Sequence, residues 1–80
     1  MRFVVTIQRR GGIADPEGVA TLRALRDLGY GEVDEVHFGR TVVVEVEGDD
    51  PVAAQGRVVE MCQRLLANPV IEDFRVEAAS

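Results

Sequence analysis

The chain has 80 residues and a mass of 8.8 kDa, with nine basic and fourteen acidic side chains and a net charge of −5. A single small domain of this size buries only about 60% of the surface of its unfolded chain, so a partner subunit is a common source of stability. The acidic balance argues against nucleic-acid binding, which relies on a basic surface. Apolar runs such as Val42-Val43-Val44 are too short to cross a membrane.

The residues that carry most enzyme chemistry are scarce. His37 is the only histidine, Cys62 the only cysteine and Ser80 the only serine, and lysine is absent. Cys62 and His37 are the one nucleophile–base pair that the composition allows, but Cys62 falls on the apolar face of a helical pattern, where a thiol packs as a small hydrophobe. We therefore expect no catalytic residue, no cofactor-binding residue and no metal ligand on this chain. A lone cysteine also forms no internal disulfide, which fits a cytoplasmic protein.

The first half of the chain predicts a strand, a helix and a second strand. Residues 3–8 are rich in β-branched side chains, and two glycines end the run. Asp15-Pro16 is typical of a helix start, with aspartate as the N-cap and proline at the first helical position. Leucines at 22, 25 and 28 give this helix an apolar stripe before a glycine ends it. Residues 33–38 alternate between apolar and polar side chains and predict a strand, and Gly39-Arg40 then predicts a tight hairpin turn.

The second half repeats the pattern. Residues 41–47 alternate and predict the third strand, and Asp50-Pro51 begins a helix that runs to about Ala67. Asn68-Pro69 ends that helix, and residues 71–77 predict the last strand. The order β-α-β-β-α-β predicts one α+β domain over residues 1–80, a ferredoxin-like sandwich. In that fold a four-stranded antiparallel sheet carries both helices on one face. Val43 lies on the bare face of this predicted sheet, which makes the face a candidate for self-association.

Three segments resemble the PurS family, the small subunit of phosphoribosylformylglycinamidine (FGAM) synthase. They are residues 12–18 (GIADPEG), Leu28-Gly29 followed by Phe38-Gly39-Arg40, and residues 62–74 (CQRLLANPVIEDF). Their order and spacing extend the resemblance over essentially the whole chain. Arg40 stands where lysine is more usual in the family, and Phe74 stands where tyrosine is common.

The resemblance implies an accessory, assembly role in an enzyme of several chains. That enzyme is an ATP-dependent ligase that amidates formylglycinamide ribonucleotide in de novo purine biosynthesis and takes its nitrogen from glutamine. The resemblance implies a homodimer or higher homo-oligomer that bridges a synthetase subunit (PurL) and a glutaminase subunit (PurQ). ATP and magnesium are implied for the complex and not for this chain.

Four residues are candidates for contact with a partner subunit. An arginine at an exposed hairpin tip has no folding role, so Arg40 is the first candidate, together with Gly39 beside it. Arg9 and Arg10, the only adjacent pair of basic residues, are the others.

Two other functions use the same order of elements. One is an ACT-like regulatory module that binds small molecules, which stays as the alternative. The other is an RNA-recognition domain, which requires aromatic side chains on the bare face of the sheet. Only 5% of the residues are aromatic, so the sequence argues against the RNA-recognition domain.

Overall fold

A computed structural model describes residues 1–79 and shows a three-stranded antiparallel sheet with two α-helices. Ser80, the only serine, lies outside the described residues. A π-helical segment, Cys62–Leu66, continues the second helix. The elements in chain order are β1 (Arg2–Arg9), α1 (Pro16–Asp27), β2 (Gly39–Glu45), α2 (Pro51–Met61) and β3 (Glu72–Ala79).

The core lies between the central strand and α2. The strand order is β2-β1-β3, and Val5 in the middle of β1 pairs with Val42 on one side and Val76 on the other. Alternate side chains of β1 point toward α2, as the period of two requires. Burial of each large apolar side chain contributes about 1.5–3 kcal/mol. The buried core residues are Phe3, Val5, Ile7, Ala54, Val58, Cys62 and Ala67.

Both helices begin where the sequence predicts. Asp15 precedes α1, and its Oδ1 accepts a hydrogen bond from the Gly18 N–H at 3.0 Å. Asp50 precedes α2, and its Oδ1 accepts from the N–H groups of Val52 and Ala53 at 3.1 and 3.3 Å. Each aspartate satisfies first-turn donors that have no partner within the helix.

The prediction of a four-stranded sheet is wrong. Residues 33–38 form no strand, and the sheet has three strands in the order given above. Gly39 and Arg40 already pair with Gln8 and Ile7, so they begin β2 and do not form a hairpin turn. A strand needs a neighbour for its N–H and C=O groups. Residues 33–38 do not come alongside β2 of their own chain, so β2 is left as an edge strand.

The prediction that both helices cover one face of the sheet is also wrong. Within residues 1–79, α1 has almost no contact with the strands or with α2. The radius of gyration is 16.2 Å, whereas a compact chain of this length has about 12 Å. The molecule measures 50 × 27 × 13 Å along its principal axes. The apolar stripe of α1 is consequently only partly covered within the described residues, although the helix itself forms as predicted.

None of the helices within the described residues has the length and apolar character needed to span a membrane.

Candidate functional site

The structure brings the four predicted partner-contact residues together at one end of the sheet. Arg9 is the last residue of β1, and Arg10 follows it. Gly39 and Arg40 begin β2, antiparallel to β1. Glu72 begins β3 and pairs with Arg9. We call these five residues the polar end of the sheet.

Arg40 and Glu72 form the central interaction of the polar end. Arg40 Nη1 donates to Glu72 Oε2 at 2.6 Å, and Nη2 donates to Oε1 at 3.0 Å. Nη2 also donates to the main-chain oxygen of Leu66 at 2.8 Å. The Glu72 side chain is only 9% exposed, whereas that of Arg40 is 52% exposed. A bidentate ion pair of this kind requires the planar guanidinium of arginine, and the ammonium group of lysine does not reproduce it.

The Glu72 carboxylate is held ionised by its partners. The Arg40 guanidinium and the Asn68 N–H, which donates to Oε1 at 2.7 Å, lower the pKa of Glu72. The same ion pair raises the pKa of Arg40. Arg40 therefore has a folding role: it joins β2 to the turn before β3. The reasoning that placed Arg40 on an exposed hairpin tip is wrong, while its contact with a partner subunit stays a prediction.

The other three predicted residues have local partners as well. Arg10 Nε lies 3.0 Å from Asp73 Oδ1 in an exposed ion pair, and Arg9 Nη1 donates to the main-chain oxygen of Ala14. At Gly39, a Cβ atom would lie 2.5 Å from the main-chain oxygen of Ile7, so only glycine permits this approach of β2 to β1.

Asp15 has a second role that the sequence does not reveal. Its Oδ2 accepts a hydrogen bond from the Phe38 N–H at 2.9 Å, in addition to the cap bond from Gly18 to Oδ1. These two bonds, with a smaller contribution from the Arg9 charge, lower the pKa of Asp15. The aspartate therefore connects α1 to the chain that enters β2. Sequence spacing identifies the cap but has no signal for a bond to a residue 23 positions away.

A shallow cavity of about 230 Å³ opens at the polar end. Its charged lining mixes both signs: Arg9 and Arg40 face Asp15, Glu17 and Glu72. Within residues 1–79 no group of three or more histidine, cysteine or acidic side chains is placed to hold a metal ion.

The one possible nucleophile–base pair does not have the character of a reactive pair. Cys62 is fully buried in the core, and burial raises the pKa of its thiol. A buried thiol of raised pKa is mostly protonated and inaccessible at neutral pH. His37 is exposed, and its Nε2 lies 3.3 Å from Glu35 Oε2. Cys62 therefore serves the core, as the helical pattern predicts.

The fold and the polar end together define a class of protein: a small α+β domain in which three ion pairs join different strands or the residues that follow them, namely Arg2–Glu45, Arg10–Asp73 and Arg40–Glu72. Part of the apolar surface in and beside α1 is exposed. Large apolar side chains exposed in and beside α1 are Ile13, Val19, Leu28 and Tyr30.

Comparisons with known proteins identify the family. The sequence model of PurS, described as phosphoribosylformylglycinamidine (FGAM) synthase, matches residues 2–80. The chain is 42% identical over 72 residues to the phosphoribosylformylglycinamidine synthase subunit PurS of Archaeoglobus fulgidus, with 90% of each protein covered. The chain belongs to the PurS family of FGAM synthase subunits.

Solved structures agree with this assignment. PurS of Methanocaldococcus jannaschii superimposes with a TM-score of 0.85 at 36% identity, covering 95% of this chain and 92% of that one. A chain of the PurLQS structure from Thermotoga maritima superimposes with a TM-score of 0.87 at 32% identity, covering 95% and 93%. The resemblance to the PurS family is thereby confirmed. Membership in this family supports an FGAM synthase subunit and argues against the ACT-like alternative.

Proposed function

We propose that this chain is the assembly subunit of FGAM synthase and bridges a glutaminase subunit (PurQ) and a synthetase subunit (PurL). The observation that supports this proposal most strongly is the structural similarity, over nearly the full chain, to one chain of the PurLQS structure from Thermotoga maritima. In this proposal PurL supplies ATP binding, PurQ supplies the glutaminase chemistry, and the complex works in the cytoplasm. This chain supplies contact surface.

The proposed subunit is a homodimer, because the single chain leaves apolar surface uncovered. Leu28 is 73% exposed, and Leu22 and Leu25 on the same stripe of α1 are only half-buried. An exposed apolar stripe of this kind on a small domain marks an interaction surface. A second copy is a suitable occupant, since the chain is too elongated to bury the stripe itself.

The open edge of β2 supports the same arrangement. Thr41, Val42, Val43 and Val44 form a β-branched run on an edge strand that has no proline and no bulge. Such an edge is normally covered, because its free N–H and C=O groups pair readily with another strand. Residues 33–38 of a second copy have the alternation of a strand and pair with no strand of their own chain. In the proposed dimer, residues 33–38 of each copy lie along the open β2 edge of the other copy, in a symmetric contact.

The polar end is the surface that we propose for contact with PurL or PurQ. Arg10 and Asp73 form an exposed pair there, and half of the Arg40 side chain is accessible beside Gly39 and Arg9. Exposed guanidinium groups bind carboxylates of a partner well because they offer several donors in one plane.

Reconstitution with PurL and PurQ tests the proposed function. The measurement is FGAM formation with glutamine and, separately, with ammonia as the nitrogen source. We expect the glutamine-dependent reaction to require this chain and the ammonia-dependent reaction of PurL to proceed without it. Equal glutamine-dependent rates with and without the chain would contradict the assembly role.

Light scattering on the purified chain tests the homodimer. The expected mass at micromolar concentration is at least twice 8.8 kDa. A mass of one chain under these conditions would contradict self-association, and the apolar stripe would then belong to an interface with PurL or PurQ.

A further inference from the structure

The α1 helix is fixed to the rest of the chain at its first turn. The Asp15 carboxylate uses both oxygens there: Oδ1 accepts from the Gly18 N–H inside the helix, and Oδ2 accepts from the Phe38 N–H at the entrance to β2. Beyond this turn the helix has almost no contact with other elements within residues 1–79. One side chain therefore links the start of the helix to the main chain that returns to the sheet.

Gly18 completes this attachment through close packing. It is buried, and a Cβ atom at this position would lie 2.1 Å from the main-chain oxygen of Val36 and 2.7 Å from Asp15 Oδ2. The first turn of α1 consequently lies directly against the main chain at residue 36. We call Asp15, Gly18, Val36 and Phe38 the joint, and residues 16–38 the arm.

We propose that Asp15 is a positioning residue for dimer formation, because its carboxylate fixes the direction in which the arm leaves the sheet by bonding to Gly18 and Phe38 together. This inference rests on the homodimer proposed above. An arm held in its bound direction before the second copy arrives loses less conformational entropy on association than a free arm does. Without the joint, the arm would be connected to the sheet only at its two ends: through residues 10–15, which include Gly11 and Gly12, and through the peptide bond from Phe38 to Gly39.

Helix capping alone does not require this arrangement. Asparagine caps a helix as well as aspartate does, because one oxygen is sufficient. Asp50 illustrates the simple case, since the N–H groups of Val52 and Ala53 both bond to its Oδ1. At Asp15 the two oxygens serve two separate segments. An asparagine there would keep one bond and turn its NH₂ group toward the other N–H donor.

The matched variants Asp15→Asn and Asp50→Asn separate the joint from capping. Each removes one negative charge at an N-cap that precedes a proline. Sedimentation equilibrium gives the dimer dissociation constant, and amide hydrogen exchange by NMR reports on Phe38 and on α1. We expect Asp15→Asn to raise the dissociation constant about tenfold or more, because two donors that face each other open the joint and the arm is then no longer held in its bound direction before association. We expect faster exchange at Phe38, retained protection within α1, and a dissociation constant for Asp50→Asn within about twofold of the original.

A second pair of variants disturbs the joint at Gly18 and leaves Asp15 unchanged. Gly18→Ala adds a methyl group against the Val36 oxygen, whereas Gly56→Ala on α2 adds one in open space. We expect only Gly18→Ala to weaken the dimer, and this pair decides the matter if Asp15→Asn does not fold.

Three outcomes overturn the inference. If Asp15→Asn and Gly18→Ala both leave the dimer dissociation constant unchanged, Asp15 has no positioning role, although the homodimer itself stands. Equal weakening by Asp15→Asn and Asp50→Asn reduces the effect to helix capping or charge. A monomeric original protein refutes the homodimer, and the inference fails with it.

Discussion

Arg40 and Glu72 connect the two outer strands of the sheet across the end of the central one. Arg40 pairs with Ile7 and Glu72 pairs with Arg9, so the ion pair passes over β1 on the face that α2 covers. Because Glu72 also accepts the Asn68 N–H, one nearly buried carboxylate fixes the start of β2, the start of β3 and the turn between the π-helical segment and β3. The core is thereby closed at the polar end.

Arg40→Ala is expected to lower the free energy of unfolding by about 2 kcal/mol, because it leaves a nearly buried carboxylate without its cation. The matched control is Arg10→Ala, which breaks the exposed pair with Asp73 and should cost less than about 1 kcal/mol. Urea denaturation at neutral pH measures both. Equal small losses would show that the Arg40–Glu72 pair contributes little to folding.

Arg40→Lys tests the geometry separately from the charge. Lysine keeps one positive charge but offers no planar fork for both Glu72 oxygens and the Leu66 main-chain oxygen. We expect the lysine variant to lie between the original protein and Arg40→Ala in urea denaturation. A lysine variant as stable as the original would mean that the charge alone carries the stabilisation.

The Glu72 pair also predicts how stability depends on pH. Arg40 and the Asn68 N–H lower the pKa of Glu72 below its ordinary value of 4.5, so the folded state holds this proton less tightly than the unfolded state. The stabilisation is therefore complete above the ordinary pKa and is lost as pH falls through the lowered pKa. We expect the difference in unfolding free energy between the original protein and Glu72→Gln to be constant near neutral pH and to shrink below about pH 4.5. A difference that does not change down to pH 3 would contradict this assignment.

Cys62 is expected to be an inert core thiol. Its complete burial and raised pKa predict no reaction with a thiol reagent such as Ellman's reagent until the protein unfolds. Cys62→Ala should lower the free energy of unfolding by about 1–2 kcal/mol, since it removes a small buried group. The glutamine-dependent activity of the reconstituted complex should remain. Rapid reaction of the native thiol, or loss of activity without loss of stability, would assign it a role beyond packing.

The sequence predicts the local structure of this chain well because its signals are local. Asp15-Pro16 and Asp50-Pro51 mark both helix starts, and alternation identifies Phe3, Val5 and Ile7 as one buried face. Residues 33–38 carry an equally regular alternation, yet they form no strand. Alternation indicates which side chains would face a core. It does not indicate whether the edge of another strand lies close enough for pairing.

In the candidate site, too, the sequence predicts local features but not contacts between distant segments. The sequence identifies Arg9-Arg10 as its one adjacent basic pair and Gly39-Arg40 as a predicted turn with an exposed arginine. The antiparallel register places the two pairs together. Glu72 is missed, because an acidic residue at a predicted strand start has no sequence feature that distinguishes it from a solvated one. Its burial and its ion pair follow only from the fold, which brings Arg40 of β2, 32 residues away, across the end of β1.

Leu28→Glu tests whether the arm is an interface between copies. Leu28 is 73% exposed at the end of α1, so its replacement removes little packing within the single chain. Val70→Glu is the matched control, because Val70 is 76% exposed, lies outside the arm, and receives the same charge. We expect Leu28→Glu to shift the light-scattering mass toward one chain, because a buried charge without a partner opposes association, and we expect Val70→Glu to keep the original mass. Far-ultraviolet circular dichroism should show unchanged helix content in both variants. Loss of the dimer in both variants, or in neither, would place the interface elsewhere than on the exposed stripe of α1.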